Sequence, residues 1–174
     1  MDRRMIVKGQ LHQVDCAVRE DGRTPAGQFL DALRKGMWDR TDAAEPADEQ
    51  ISDYHWFLNA VKHWAKTGEP VYRDAVKALR DGVWEFRHGD KRLTFFDTDG
   101  HGGYTAKLPA QSHADAEVPD SEYWPIPYFD HLIRLGHAFT KVSQKTPEHD
   151  LSESQTTREE DLAHDRPTRS DAGR

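Results

Sequence analysis

The stretch VWEFRHGDKRLTFF, residues 83–96, decides how the sheet of this protein is built. Apolar and polar side chains alternate on both sides of the polar run His88–Lys91, which predicts a β-hairpin with a four-residue loop. In that register Arg87 faces Arg92 across the hairpin. Because like charges that face each other in a sheet cost stability, this pair calls for a counter-charge or a function.

Two further segments are predicted to join the hairpin in a sheet. Residues 11–18 alternate apolar and polar side chains with the period of a half-buried strand, and the apolar face holds Val14, Cys16 and Val18. The segment HLIRLGHAF, residues 131–139, predicts another strand. Strict alternation would place four of its side chains on one face: Ile133, Leu135, His137 and Phe139.

Two helices are predicted between the first strand and the hairpin. Thr24-Pro25 supplies an N-cap and a first-turn proline for a helix over residues 25–37. The polar, acid-rich residues 39–50 are predicted to form a loop, after which Ser52 or Asp53 can cap a second helix. Gly68 and Pro70 would end that helix. Its apolar stripe consists of Phe57, Ala60, Val61 and Trp64.

Residues 98–130 contain three glycines and four prolines without a sustained period, so they are predicted to be an inserted loop. Within it, the apolar run 123–129 is predicted to pack onto the domain or onto a partner. Thr146-Pro147 can cap a C-terminal helix, and the tail after about Ala163 is expected to be disordered.

Composition limits the classes of function. The chain has 24 Lys and Arg against 31 Asp and Glu, a net charge of −7, so any RNA site must be a local one. A single cysteine, Cys16, excludes an internal disulfide and lacks the companions of a zinc site, and the histidine spacings match no ligand motif, so no metal is predicted. No apolar run is long enough for a membrane span or secretion signal, which predicts a soluble, cytoplasmic protein.

Two late segments resemble the phage-derived branch of the HigB/RelE toxins. ALRDGVWEFRHGDKRLTFF, residues 78–96, is similar to that family's L-x-D-G-(L/V)-W-E-(L/F)-R pattern with an arginine on the next strand. LIRLGHAFTKVSQKTPEHDL, residues 132–151, is similar to its L-x-H-x-F-x-K-x-x-Q-K-T-P pattern. The earlier strand and the GRTPAGQFLDAL helix also look like the start of that family, so the resemblance extends over most of residues 11–165.

The resemblance implies an α+β fold, with a small antiparallel RelE-type sheet and the two N-terminal helices packed on it. We therefore expect a toxin domain over residues 1–150, with inserted loops at 39–50 and 98–130. Residues 151–174 would form a C-terminal helix and a disordered tail.

The resemblance also implies a function: an endoribonuclease toxin that acts on messenger RNA at the ribosome and is held inactive by a cognate helix-turn-helix antitoxin. Cleavage by the neighbouring 2′-OH needs stabilised phosphate charge and proton transfer, and needs no metal or cofactor. Arginine forks match phosphate oxygens, and lysine or histidine can exchange protons. The candidate catalytic residues are Arg87, Arg92, Lys141, Lys145 and His137. The candidate RNA-binding residues are Arg134, Phe139 and Gln144.

Plainer interpretations stand beside these. The two arginines of the hairpin could be a structural pair neutralised by Glu85 or Asp97, and the two lysines could belong to a solvated turn. His137 could be a core histidine with its hydrogen bonds satisfied. The acidic composition favours a second hypothesis for the whole chain, a non-catalytic phage or prophage module that uses this fold to bind a protein.

Overall fold

In the described part of the chain, six strands form one sheet and three α-helices cover it. The computed structural model describes residues 2–38 and 45–167. In chain order the strands are β1 (Met5–Lys8), β2 (Gln13–Cys16), β3 (Val76–Ala78), β4 (Trp84–His88), β5 (Lys91–Thr98) and β6 (Leu132–Thr140). The helices are α1 (Pro25–Arg34), α2 (Ala47–Thr67) and α3 (Glu148–Asp165).

The strand order across the sheet is β1-β2-β6-β5-β4-β3, and the sheet is mixed. β2 and β6 run parallel, while the other neighbouring pairs are antiparallel. The predicted fold, a small antiparallel sheet with two N-terminal helices on it, is therefore wrong. Parallel neighbouring strands need a long connection. Here the connection from β2 to β6 includes α1, α2 and the β4–β5 hairpin. Alternation along the chain predicts a strand but does not reveal its neighbour.

The arrangement of the helices around the sheet also differs from the prediction. α1 and α2 follow β2 and pack on one face of the sheet, whereas α3 lies against the other face, where its Leu162 packs with Ala17 and Phe96. α2 begins at Ala47, inside the stretch predicted to be a loop, because Asp48 and Glu49 favour a helix N-terminus. The rest of that predicted loop, residues 39–44, lies outside the described residues.

The main core lies between the sheet and the pair α1 and α2. The predicted stripe of α2 is confirmed, because all four of its side chains are buried, and the helix ends at Gly68, whose φ of 71° is left-handed. From the sheet, two aromatic rings of the hairpin, Phe86 and Phe95, pack against Trp64. The inserted loop contributes Ile126 and Phe129 to the same core, as predicted for the apolar run 123–129.

A β-bulge in β6 changes which side chains share a face. Leu93 pairs with Ala138 but Phe95 pairs with Leu135, so Thr94 lies opposite two residues, Gly136 and His137. One extra residue reverses the alternation beyond it. Ile133 and Leu135 face α1 and α2, whereas His137 and Phe139 face α3. The prediction that all four share one face is wrong for this reason.

α3 is attached to the sheet mainly by charge. Asp161 is fully buried and accepts hydrogen bonds from Arg3, from Arg134 and from the backbone N–H of Val18. Asp165 accepts from the same two arginines. The predicted disordered tail begins within this helix, and its residues 168–174 lie outside the described part of the chain. Within the described ranges, every helix is too short or too polar to span a bilayer.

Candidate active site

The turn of the β4–β5 hairpin places two arginines side by side. Arg87 pairs with Arg92 and His88 with Lys91, so the predicted register is confirmed while the loop has two residues instead of four. Its first residue, Gly89, has a φ of 56°, as a type II′ turn requires at that position. Both arginines lie on the face of the sheet that α3 partly covers, at the end that α3 leaves open.

The segment after β6 completes a pocket around them. The backbone N–H of Lys141 donates to the carbonyl oxygen of Asp90 at 2.7 Å, which ties this segment to the hairpin turn. The result is an open pocket of about 510 Å³. We call it the basic pocket, and it is lined by Arg87, Gly89, Asp90, Arg92, Lys141, Val142, Ser143 and Gln144. Three predicted catalytic residues and one predicted RNA-binding residue thus meet at one place.

The two arginines differ in how freely they reach solvent. The Arg92 side chain is 7% exposed, and its Nη1 donates to the carbonyl oxygens of Gly89 and Lys91. Burial, and then the charge of Arg87, lower the pKa of Arg92. The Arg87 side chain is 23% exposed. Arg87 is therefore the arginine best placed to contact a ligand, while Arg92 is anchored by the turn beneath it.

Glu85 lies under the arginine pair and is a site residue that the sequence prediction treated only as a possible counter-charge. Its Oε1 is 3.7 Å from the Nε of Arg87 and 3.7 Å from the Nε of Arg92. Burial raises the pKa of this carboxyl, against the opposing charges of Arg92, Arg87 and Lys141. Asp97, the other counter-charge considered, instead pairs with Lys107. The carboxylate of Glu85 thus compensates part of the charge of the pair.

Hydrogen bonding within this cluster is incomplete. The Nε atoms of Arg87 and Arg92 and the Oε2 atom of Glu85 are buried and have no hydrogen-bond partner in the described part of the chain. Buried polar atoms are usually satisfied, so the arginine pair beneath the basic pocket is less fully compensated than a closed network of ion pairs would be.

The other predicted site residues lie outside the basic pocket. His137 Nε2 is 2.8 Å from Asp150 Oδ1 on α3, and its ring stacks on Phe139, which is itself buried. Arg134 is buried in its ion pairs with α3, so it is not available to RNA. Lys145 is exposed on the turn beyond the pocket, where its carbonyl oxygen accepts from Ser143.

A second hollow adjoins the basic pocket and brings in residues that sequence reasoning missed. It measures about 300 Å³ and is lined by Tyr72, Asp74, Lys77, Arg87, Gly89 and Arg92. Lys77 belongs to β3 and pairs with Glu85 across the sheet. The three-residue alternation Val76-Lys77-Ala78 was its only sequence signal, and it is too short to identify a strand.

Across residues 2–38 and 45–167, no three His, Cys, Asp or Glu side chains are grouped so that they could hold a metal ion. Comparison with protein-family models finds no match to this chain, and comparison with curated protein sequences finds none either.

Proposed function

We propose that this protein is a metal-independent endoribonuclease toxin that cleaves messenger RNA, in association with the ribosome, at the basic pocket. The observation that carries the proposal is the convergence of Arg87, Arg92 and Lys141 on one open pocket of a protein whose net charge is −7. The motif resemblance to HigB/RelE toxins supports it. A cognate helix-turn-helix antitoxin that covers this pocket would hold the toxin inactive in the cytoplasm.

The chemistry that suits the pocket is attack by a ribose 2′-OH on the adjacent phosphorus. The 2′-oxygen forms a bond to phosphorus, the bond to the 5′-oxygen breaks, and a 2′,3′-cyclic phosphate and a free 5′-OH result. Charge accumulates on the non-bridging oxygens, where a guanidinium fork stabilises it. Arg87 supplies that fork. The proton of the attacking 2′-OH passes to solvent water in the open pocket, and the ammonium group of Lys141 donates a proton to the leaving 5′-oxygen.

The test is cleavage of a translated message by purified protein in which Arg87 is changed to alanine. Loss of an electrostatic contact made in the transition state should lower the rate by about 30-fold to 1,000-fold. Arg34→Ala is the matched control, because Arg34 is an exposed arginine of α1 that lies 3.9 Å from Asp31 and does not line the basic pocket. Cleavage at the wild-type rate by Arg87→Ala would refute the proposal.

The alternative function is a non-catalytic protein-binding module. It is favoured by the position of Glu85, which compensates the arginine pair at 3.7 Å without any substrate. Induced expression in a bacterial host separates the two. An endonuclease stops growth and fragments messages, and both effects disappear in an Arg87→Ala/Lys141→Ala variant. A binding module that stops growth leaves messages intact.

A further inference from the structure

The basic pocket and the second hollow are two halves of one groove. Both are lined by Arg87, Gly89 and Arg92, so the arginine pair forms the wall that they share. From this wall the groove runs toward Lys141 and Gln144 on one side, and toward Tyr72 and Lys77 on the other. A single phosphate fills only the centre of such a groove.

We propose that the Tyr72 side is a nucleotide subsite, in which a base next to the cleaved phosphate stacks on Tyr72 and the following phosphate contacts Lys77. This inference rests on the proposed function, because the cleaved phosphate is placed at the arginine pair. The ligand is therefore a single-stranded RNA of at least three nucleotides.

Tyr72 has the properties of a stacking platform. It is 48% exposed. Its ring is tilted against that of Trp56, with the centroids 6.0 Å apart, and Trp56 in turn stacks on His88 at the hairpin end. This aromatic row holds the ring in place and leaves part of it open to the groove. Bases of any identity stack on such a ring, because each base has a π-face.

Lys77 supplies the second positive charge at a suitable distance. It pairs with Glu85 across β3 and β4, which makes Arg87 its diagonal neighbour on the same face, roughly 7–8 Å away between Cα atoms. That separation is comparable to the spacing of neighbouring phosphates along a single strand. The Lys77 side chain is 54% exposed, and Asp74 approaches it only to 3.9 Å, so the charge remains available to a phosphate.

The experiment compares binding of a trinucleotide, made uncleavable by 2′-deoxy substitution, with binding of inorganic phosphate. Tyr72→Ala should weaken trinucleotide binding by roughly 5-fold to 100-fold, the range for loss of one stacked base, and leave phosphate binding unchanged. Tyr72→Phe should bind like the wild type, because the ring is kept. Tyr128→Ala is the matched control, since Tyr128 is 65% exposed and lines neither half of the groove.

Lys77→Ala gives an independent readout. Removal of one phosphate contact should weaken trinucleotide binding and make the slope of log affinity against log salt shallower by about one. Wild-type trinucleotide affinity in both Tyr72→Ala and Lys77→Ala would overturn the subsite. If Arg87→Ala still loses phosphate binding in that case, the proposed function survives. If Arg87→Ala binds both ligands like the wild type, the proposed function fails instead.

Discussion

Arg87 and Arg92 occupy directly opposed positions on β4 and β5, and Glu85 makes that arrangement tolerable. Its carboxylate is nearly equidistant from both Nε atoms, so it compensates the part of each guanidinium that faces the sheet. The opposite edge of Arg87 is then free to point into the basic pocket. The site is thus a buried carboxylate beneath two cations, and its charge toward a ligand depends on whether Glu85 is ionised.

This arrangement predicts that anion binding tightens as the pH falls. Burial raises the pKa of Glu85, so its charge is lost at a higher pH than that of an exposed glutamate, and each protonation removes a negative charge next to the bound anion. A unit charge at about 7 Å is worth on the order of 1–2 kcal/mol under partial screening, or roughly 5-fold to 30-fold in sulfate affinity. Sulfate serves as the probe because it stays doubly charged over the pH range in which a carboxyl group titrates.

Glu85→Gln should bind sulfate tightly across this pH range and lose the tightening seen in the wild type. Glu148→Gln is the control, because Glu148 is an exposed carboxylate of α3 that pairs with Arg80. This variant should bind sulfate more tightly as the pH falls, as the wild type does. Calorimetric titration at several pH values measures the effect. A Glu85→Gln curve parallel to that of the wild type would show that Glu85 does not control the charge of the pocket.

Among the elements, the bulge of β6 matters most to the site. It turns Phe139 and His137 toward α3 and brings Lys141 to the hairpin turn, where its N–H reaches Asp90. The bulge is held by one side chain, because the backbone N–H of His137 donates to Thr94 Oγ1 at 2.8 Å. Gly136 permits this close approach, since a Cβ there would lie only 2.9 Å from the same oxygen.

We therefore expect Gly136→Ala to destabilise the protein by about 1–3 kcal/mol, because the added methyl displaces Thr94 and breaks its hydrogen bond. In a Thr94→Ala background, which removes the clashing oxygen, the same change should have a much smaller effect. Denaturant unfolding of the two single variants and the double variant measures this coupling. Additive free energies of unfolding would mean that Thr94 is not what excludes a side chain at position 136.

At the scale of the whole molecule, the buried carboxylates of α3 connect segments from both ends of the chain. Asp161 joins Arg3, before the first strand, to Arg134 on β6, and also binds the backbone after β2. α3 has little apolar surface of its own in the core, with Leu162 as its one buried large hydrophobic side chain among the described residues. The position of α3 therefore depends on buried ion pairs.

Asp161→Ala should lower the free energy of unfolding by about 3–5 kcal/mol, because it leaves two buried arginines short of a partner. The matched control is Asp31→Ala, which breaks the exposed ion pair with Arg4. This change should lower the free energy of unfolding by about 1 kcal/mol or less. Thermal and denaturant unfolding measure both. Equal losses in the two variants would mean that the buried cluster does not anchor α3.

The sequence by itself determined the features that depend on near neighbours in the chain. The hairpin register, with Arg87 opposite Arg92, follows from alternation on two strands joined by a short turn, and the α2 stripe and its end at Gly68 follow from helical periodicity and a glycine cap. Four residues of the basic pocket were predicted: Arg87 and Arg92 on the hairpin, and Lys141 and Gln144 from the resemblance of residues 132–151 to a family motif.

The tertiary structure alone decided the features that depend on distant segments. Pairing of β2 with β6 joins strands that are more than a hundred residues apart, and no local pattern encodes that choice. The extra residue at Gly136 places His137 on the other face of the sheet. Strict alternation could not predict this, because it assumes that two strands pair without a bulge. Arg134 was predicted to bind RNA and is buried instead, because its carboxylate partners come from a helix later in the chain. A side chain's charge and chemistry are set by its type, but whether it meets a ligand or a counter-charge is set by what the fold packs against it.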